Sequence, residues 1–411
     1  MQNPKKMNYT LTDFLISLAD INNLKKYTDS PDNYMSSMGL NEAQKQAIRE
    51  GDLYRIRRYS AQEMYKESLH ARLLTRIFEE KDPNFTYKMA TAEKLKLEIP
   101  FDVDTDHEVD TDHDIVQTHD LGDDIAEFSS KYSSTNYYDH LFDEDWVQTK
   151  KNELVFVGTG INGANHLSAE TEAYIANANK VLYCVADLAI ERKILMLNSN
   201  SEDLYVFYGD DKPRRKTYEE MVERTLEVLE DNELVCVVFY GHPGIFVWPS
   251  FKGIQLARKN GYRAYMLPAI SSLDCLFSDV GFDPSRHSCQ IIEATDMLAR
   301  GRKPDITASV VIFQVGCVGD LGYNSRGYDR RNVPVLAEYL SSFYGEDYEV
   351  ILYEASQYPI CNPKIKLIKI KNLPDAKPTG LTTMYIPPKA LPERDEAMIS
   401  RLGLETPKFR N

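Results

Sequence analysis

Two glycine turns give the first chemical signals in this chain. Residues 154–163 read LVFVGTGING, an apolar strand-like run that enters Gly158-x-Gly160-x-x-Gly163. That is the spacing of a dinucleotide-binding turn, in which glycines let backbone amides approach a pyrophosphate. Asp187, at the end of a second strand-like run VLYCVAD, falls where a ribose-binding acid would stand. The fingerprint alone is weak evidence. Gly163 is followed by Ala164, Asn165 and His166 rather than by the small apolar residues that pack a nucleotide-fold helix, so loop and acid are expected to be architecture. The second turn, VVFYGHPGIFVWPS at 237–250, is more telling: a strand meets Pro243 and Gly244, which stiffen a loop exposing its backbone toward a ligand beside Tyr240. A tandem hexad over 103–120 sets His107, His113 and His119 in register among carboxylates. Such runs are more often solvated than metal-binding, and no metal is expected.

Alternating elements must position the two turns. From 152 on, the apolar runs LVFVG, KVLYCVAD, LVCVVFYG, YRAYMLP, ASVVIFQV and EVILYEAS are separated by helix-like stretches such as TYEEMVERTLEVLED and VPVLAEYLSSFYG. This predicts α/β layers with mostly parallel strands. A break near Pro268 divides the region into halves, with a cleft between two sheets as the natural ligand site. Ahead of it, residues 8–60 predict three short helices. Leu11, Phe14, Leu15, Leu18, Ile21 and Leu24 share one helical face; SPDNYMSSMG holds Pro31 in a first turn and Gly39 as a stop; Asn41 and Gln44 form a capping box ahead of a helix ended by Gly51. AQEMYKESLHARLLTRIFEE at 61–80 predicts a further helix, leading into an acidic run.

Bulk properties exclude several classes. The 411 residues include 43% hydrophobic ones, enough for a real core, and no stretch approaches a membrane span or a signal peptide. The formal charge is −15, and residues 101–150 alone carry fifteen acids against two lysines, which disfavours nucleic acid as a partner. Six cysteines without a C-x-x-C pair predict reduced thiols in a cytoplasmic protein.

The blocks LVFVGTGI, VLYCVAD, DLYVFY, VVFYGHPGIFV, MLPAISSLDCLFSDV, VVIFQVGCVGD and TTMYIPPK, in this order and spacing, resemble the borosin peptide backbone N-methyltransferases of the tetrapyrrole-methylase (class III) superfamily. The resemblance covers about 152–390. It implies an α/β, two-lobed tetrapyrrole-methylase fold over 151–390, preceded by an all-α domain at 1–60 similar to the borosin-binding domain, with a helix and acidic linker at 61–150 and a tail at 391–411. It further implies S-adenosyl-L-methionine as cofactor rather than a nicotinamide, with the donor against the YGHPG turn. Tyr240, His242, Ile245, Ser272, Gln314, Ala355, Thr382 and Thr383 match the family's donor-binding positions. Tyr208, Arg214, Tyr218 and Tyr240 match its catalytic positions, and Tyr205 a substrate-pocket tyrosine. A homodimer is implied as well.

Methylating a backbone amide is hard because the nitrogen lone pair is delocalised into the carbonyl. A base, a cation to hold charge on the amide oxygen, and a shaped pocket would suffice. In DLYVFYGDDKPRRKTYEEM at 203–221, Thr217 and Glu220 are expected to form a capping box, placing Tyr218 in a helix's first turn, where the dipole favours a phenolate. Arg214 supplies fixed charge. In fungal relatives the helical unit follows the methyltransferase; here it comes first, and the tail is charged. The expected acceptor is therefore the linker, above all hexads 103–120, on the same chain or a partner protomer. About 90 residues can extend to about 300 Å. A methylase of a tetrapyrrole-like small molecule and a non-catalytic peptide-binding protein are the alternatives.

Overall fold

A computed structural model of the chain describes residues 9–65, 68, 70–72, 74, 147–210, 212–324 and 327–404. The hexads lie outside the described residues, as does nearly all of 75–146. The described residues form two compact units, the first drawn from Met1–Ser272, Gly322–Arg326 and Ser356–Asn362, the second from Leu273–Leu321, Gly327–Ala355 and Pro363–Asn411.

The first unit opens with helices α1 (Thr10–Ser17), α2 (Ile21–Asp29), α3 (Pro31–Ser37), α4 (Glu42–Glu50) and α5 (Leu53–Met64). The single helix expected over 11–24 is two. Asp20 stops the first run and caps α2 by accepting from the amides of Asn22 and Asn23. Leu11, Phe14, Leu15 and Leu18 are buried, whereas Ile21, beyond the break, is 60% exposed. Pro31 opens α3, and the Asn41–Gln44 box opens α4, which ends on left-handed Gly51. Replacing Asn41 with alanine removes one arm of that box and is expected to cost about 1 kcal/mol, read as a lowered melting temperature.

Helix α5 runs through residue 60, where a domain division was expected. Its Glu63 reaches back to accept from the amides of Leu11 (2.8 Å) and Thr12 (3.0 Å) and from Gln44 (3.0 Å), closing the helical module. The module's core also takes in Ala189 and Tyr358, so it is continuous with the α/β layer.

That layer is a five-stranded, all-parallel sheet in the order β3-β2-β4-β1-β5. Its strands are β1 (Glu153–Gly158), β2 (Lys180–Cys184), β3 (Ser201–Asp203), β4 (Leu234–Phe239) and β5 (Arg263–Met266), with helices α6 (Ala169–Asn177), α7 (Leu188–Leu197), α8 (Arg214–Asp231) and α9 (Trp248–Lys259) between them. Apolar clusters cover both faces, one around Phe156, Leu182 and Val237, the other around Val155, Val181 and Val238. Burial on both sides explains why these strands read as continuous apolar runs.

The second unit holds a sheet in the order β6-β7-β10-β8-β9: β6 (Cys289–Glu293), β7 (Ser309–Phe313), β8 (Glu349–Glu354), β9 (Lys364–Lys369) and β10 (Thr383–Ile386). Only β6 and β7 pair in parallel, while β10 runs antiparallel to β7 and β8, and β8 to β9. The expectation of mostly parallel strands fails here because β8 and β9 are sequence neighbours joined by a short connection, which antiparallel pairing permits, and β10 then enters between β7 and β8 antiparallel to both.

Candidate active site

The first glycine loop is closed on protein. Gly160 and Gly241 exchange backbone hydrogen bonds (3.2 and 3.1 Å), pairing the two glycine turns. His166 Nδ1 accepts from the amides of Ile161 (3.2 Å) and Asn162 (3.1 Å), which consumes donors that a pyrophosphate would need. Asp187 is 2% exposed, caps α7 through the Ile190 amide (2.9 Å), and accepts from the Tyr358 hydroxyl. Neither group is available to a dinucleotide, and both are architecture.

The candidate tyrosines gather at the carboxyl ends of the parallel strands, where open α/β sheets bind ligands. Beyond β3, Asp203 accepts from the Tyr205 amide (2.8 Å) and fixes a short 3-10 turn, Leu204–Phe207. The turn sets the Tyr205 ring 4.9 Å from that of Tyr208, and Tyr323 stands 6.0 Å from the first and 4.9 Å from the second. Tyr218 hydrogen-bonds Tyr208. Burial first, then the nearness of Cys184, Tyr218 and Tyr205, push the Tyr208 phenol well above its ordinary value. It therefore stays protonated and acts as a donor. Tyr240 follows β4, its amide on the Cys184 carbonyl at the end of β2 (3.3 Å).

The expected Thr217–Glu220 capping box is not formed. Helix α8 begins earlier, at Arg214, with Pro213 as its N-cap, and the Pro213 carbonyl takes the Thr217 amide. Thr217 is fully buried with its hydroxyl toward the Phe207 carbonyl (3.3 Å), and Glu220 pairs with Lys212. Tyr218 thus lies a full turn inside the helix, where the dipole has faded, so a phenolate favoured by the helix end loses its basis. Arg214 takes the first helical position instead, and its guanidinium donates to the Gly322 carbonyl (2.9 Å), tying down the loop that carries Tyr323.

The residues matched to the donor fall in both units. In the first, His242 Nδ1 accepts from the Gly244 amide (2.9 Å), which leaves its other nitrogen as the proton-bearing one, and the Ile245 amide closes on the His242 carbonyl (3.3 Å). Phe246, next in the turn, has a φ of 55°. Ser272 is half-buried at the start of a short helix. In the second unit, Gln314 follows β7, Ala355 follows β8, and Thr382 and Thr383 enter β10, so all four share one end of the sheet. Gln314 has a φ of 60°, a conformation that non-glycine residues adopt at a cost and that clusters at functional sites. Glu354 holds this end together, accepting from Thr379 (2.6 Å) and Thr382 (2.8 Å) and pairing with Lys364 (3.0 Å). Burial opposes its ionisation, yet those partners hold its carboxyl below the ordinary range.

Tyr323, Asp203, His70 and Glu354 were not anticipated. Tyr323 is brought to the cluster by long-range contacts of Gly322, its bridge with Pro213 and its hydrogen bond from Arg214, for which local spacing leaves no trace.

Beside the cluster lies a buried joint. Glu191, fully buried on α7, accepts from Ser68 and from Tyr183 (3.0 Å). Burial, and next the neighbouring Asp203, push the Glu191 carboxyl up to about 8, and burial pushes Asp203 to about 6. Folded protein holds these protons more tightly than unfolded chain, so their contribution to stability is full below the ordinary carboxylate range and is lost as pH rises toward 8. Melting temperature is expected to fall between pH 5 and 8, and Glu191→Gln to flatten that slope.

Residues 153–357 match the family model for Tetrapyrrole (Corrin/Porphyrin) Methylases. That segment, just under half of the chain, is similar to the methylase domains of this family. Within the class, the chain is similar to borosin-type methyltransferase/precursor proteins. It is 43% identical over 256 residues to the methyltransferase/ribosomally synthesized type III borosin cyclic peptide precursor of Anomoporia bombycina, covering 61% of this chain and 30% of that protein. It is 41% identical to the methyltransferase/ribosomally synthesized cyclic peptide dendrothelin A precursor of Dendrothele bispora, covering 60% of each chain. It is also 41% identical to the corresponding omphalotin A precursor of Omphalotus olearius, covering 64% of each. The chain thus spans from under a third to just under two thirds of these relatives' own length.

Proposed function

We propose that this chain is an S-adenosyl-L-methionine-dependent α-N-methyltransferase of peptide backbone amides that modifies its own linker. What supports it most is the cluster of Tyr205, Tyr208 and Tyr323, anchored through Arg214, at the carboxyl ends of a parallel sheet in a domain whose relatives are methyltransferase/precursor fusions. The residues matched to the donor fit it chemically. His242 in the first unit, and Gln314, Thr382 and Thr383 in the second, offer hydrogen-bonding groups of the kind a polar donor needs. When bound, S-adenosylmethionine supplies an electrophilic methyl carbon. Neutral Tyr208 donates to the amide oxygen and draws the nitrogen toward imidate character, Arg214 offsets charge at that oxygen, and Tyr218, in the phenolate form that this step requires, takes the proton that leaves the nitrogen and becomes the neutral phenol. Tyr205 shapes the acceptor pocket and Tyr240 joins it to the donor side.

The proposed acceptor is the acidic linker within 61–150, hexads 103–120 first, presented by the helical module at 1–60 to the site of its own chain or of a homodimer partner. The proposed location is the cytoplasm; no helix among the described residues is long and apolar enough to cross a membrane. Intact mass after incubation with the donor is expected to show successive methyl additions, with fragmentation placing them in the linker. Active protein whose linker mass is unshifted would retire the self-modification.

A further inference from the structure

The residues just after α5 reach the tyrosine cluster. His70 is 3% exposed, and its ring lies 4.2 Å from that of Tyr205 in an edge-to-face contact at 68°. Two carboxylates hold the segment in place. Glu191 accepts from Ser68, and Asp203, the same side chain that caps the turn carrying Tyr205, accepts from the backbone of His70. One carboxylate therefore sets both partners of the His70–Tyr205 contact. Through Tyr205 the contact extends to Tyr208 and Tyr323. On the other side, Arg57 of α5 lies close enough to act on His70, Asp187 and Tyr358.

We infer that His70 is a positioning residue, a rigid wall that fixes the Tyr205 ring and through it the tyrosine cluster, so that the chain just beyond the helical module completes the site. The inference rests on the methyltransferase reading above. Burial, and next the Arg57 charge, hold the His70 imidazole down at about 4, so at neutral pH it is an uncharged ring and neither a base nor a counter-ion. What it supplies is shape: an aromatic edge against Tyr205 that denies the phenol other rotamers. Displacing a catalytic group by an ångström costs rate rather than binding.

The test uses the full chain and three variants, His70→Ala, His70→Gln and His70→Phe. Loss of the ring in His70→Ala and His70→Gln is expected to lower kcat for methyl transfer about tenfold or more, leave KM for the donor within about twofold, and weaken the tyrosine near-ultraviolet circular dichroism. His70→Phe, which keeps an aromatic edge, is expected to recover most of the rate and the signal. His70→Gln keeps a polar side chain and serves if the alanine variant does not fold. Ring-less variants with wild-type kcat and an unchanged near-ultraviolet spectrum would overturn the inference, as would a phenylalanine variant no better than glutamine. If the unmodified chain transfers no methyl at all, the functional reading falls and the spectra alone decide whether His70 sets the cluster.

Discussion

Tyr218→Phe removes one oxygen and is expected to slow methyl transfer at least about a hundredfold, the scale of a lost acid–base group. The ring packs against the cluster that includes Met221 and Phe239, and phenylalanine keeps that packing. What disappears is the hydrogen bond to Tyr208 and the oxygen proposed to accept the amide proton. The residues matched to the donor keep their own side chains, so donor affinity by calorimetry should stay within about twofold. Wild-type rates in this variant would remove Tyr218 from the mechanism. Tyr208→Phe is expected to cost a similar factor for a different reason: a neutral donor to the amide oxygen is lost.

Gly158→Ala is expected to be severely damaging for a single added methyl, lowering stability by about 3 kcal/mol or more and leaving little soluble protein. A Cβ at this position would sit 2.1 Å from the Gly241 carbonyl oxygen, 2.6 Å from Ala269 and 2.8 Å from Pro243. The carbonyl belongs to the paired glycine turns and cannot withdraw without breaking that pairing. Gly209→Ala is the control, because nothing lies within 4 Å of a Cβ there. Thermal melts of the two variants side by side decide the matter, and an unperturbed Gly158→Ala would mean that the turns are not packed as described.

These two positions also show what a sequence can and cannot reveal. Parallel strands buried on both faces announced themselves as apolar runs, and LVFVG, KVLYCVAD and LVCVVFYG each fold as strands. Caps were legible where their partners are three residues apart, as in Asn41 and Gln44. The same pattern misled at Thr217 and Glu220. A proline at 213 had already opened the helix, and Glu220 answers Lys212, eight residues upstream. β3, β6, β9 and β10 are short or exposed and carry no continuous apolar run; β9 is KIKLIK, with only Ile368 buried. Candidate site residues inside the matched blocks could be named one by one. Tyr323 and His70 could not, because each reaches the cluster through contacts more than a hundred residues away in sequence.

Most direct is a time course of intact mass and fragmentation on the full chain with S-adenosyl-L-methionine, alongside Tyr218→Phe. Methyl additions confined to backbone nitrogens within 61–150, absent in the variant, are the expected result. Methyl groups on side chains, or a variant that methylates as fast as the parent, would contradict it.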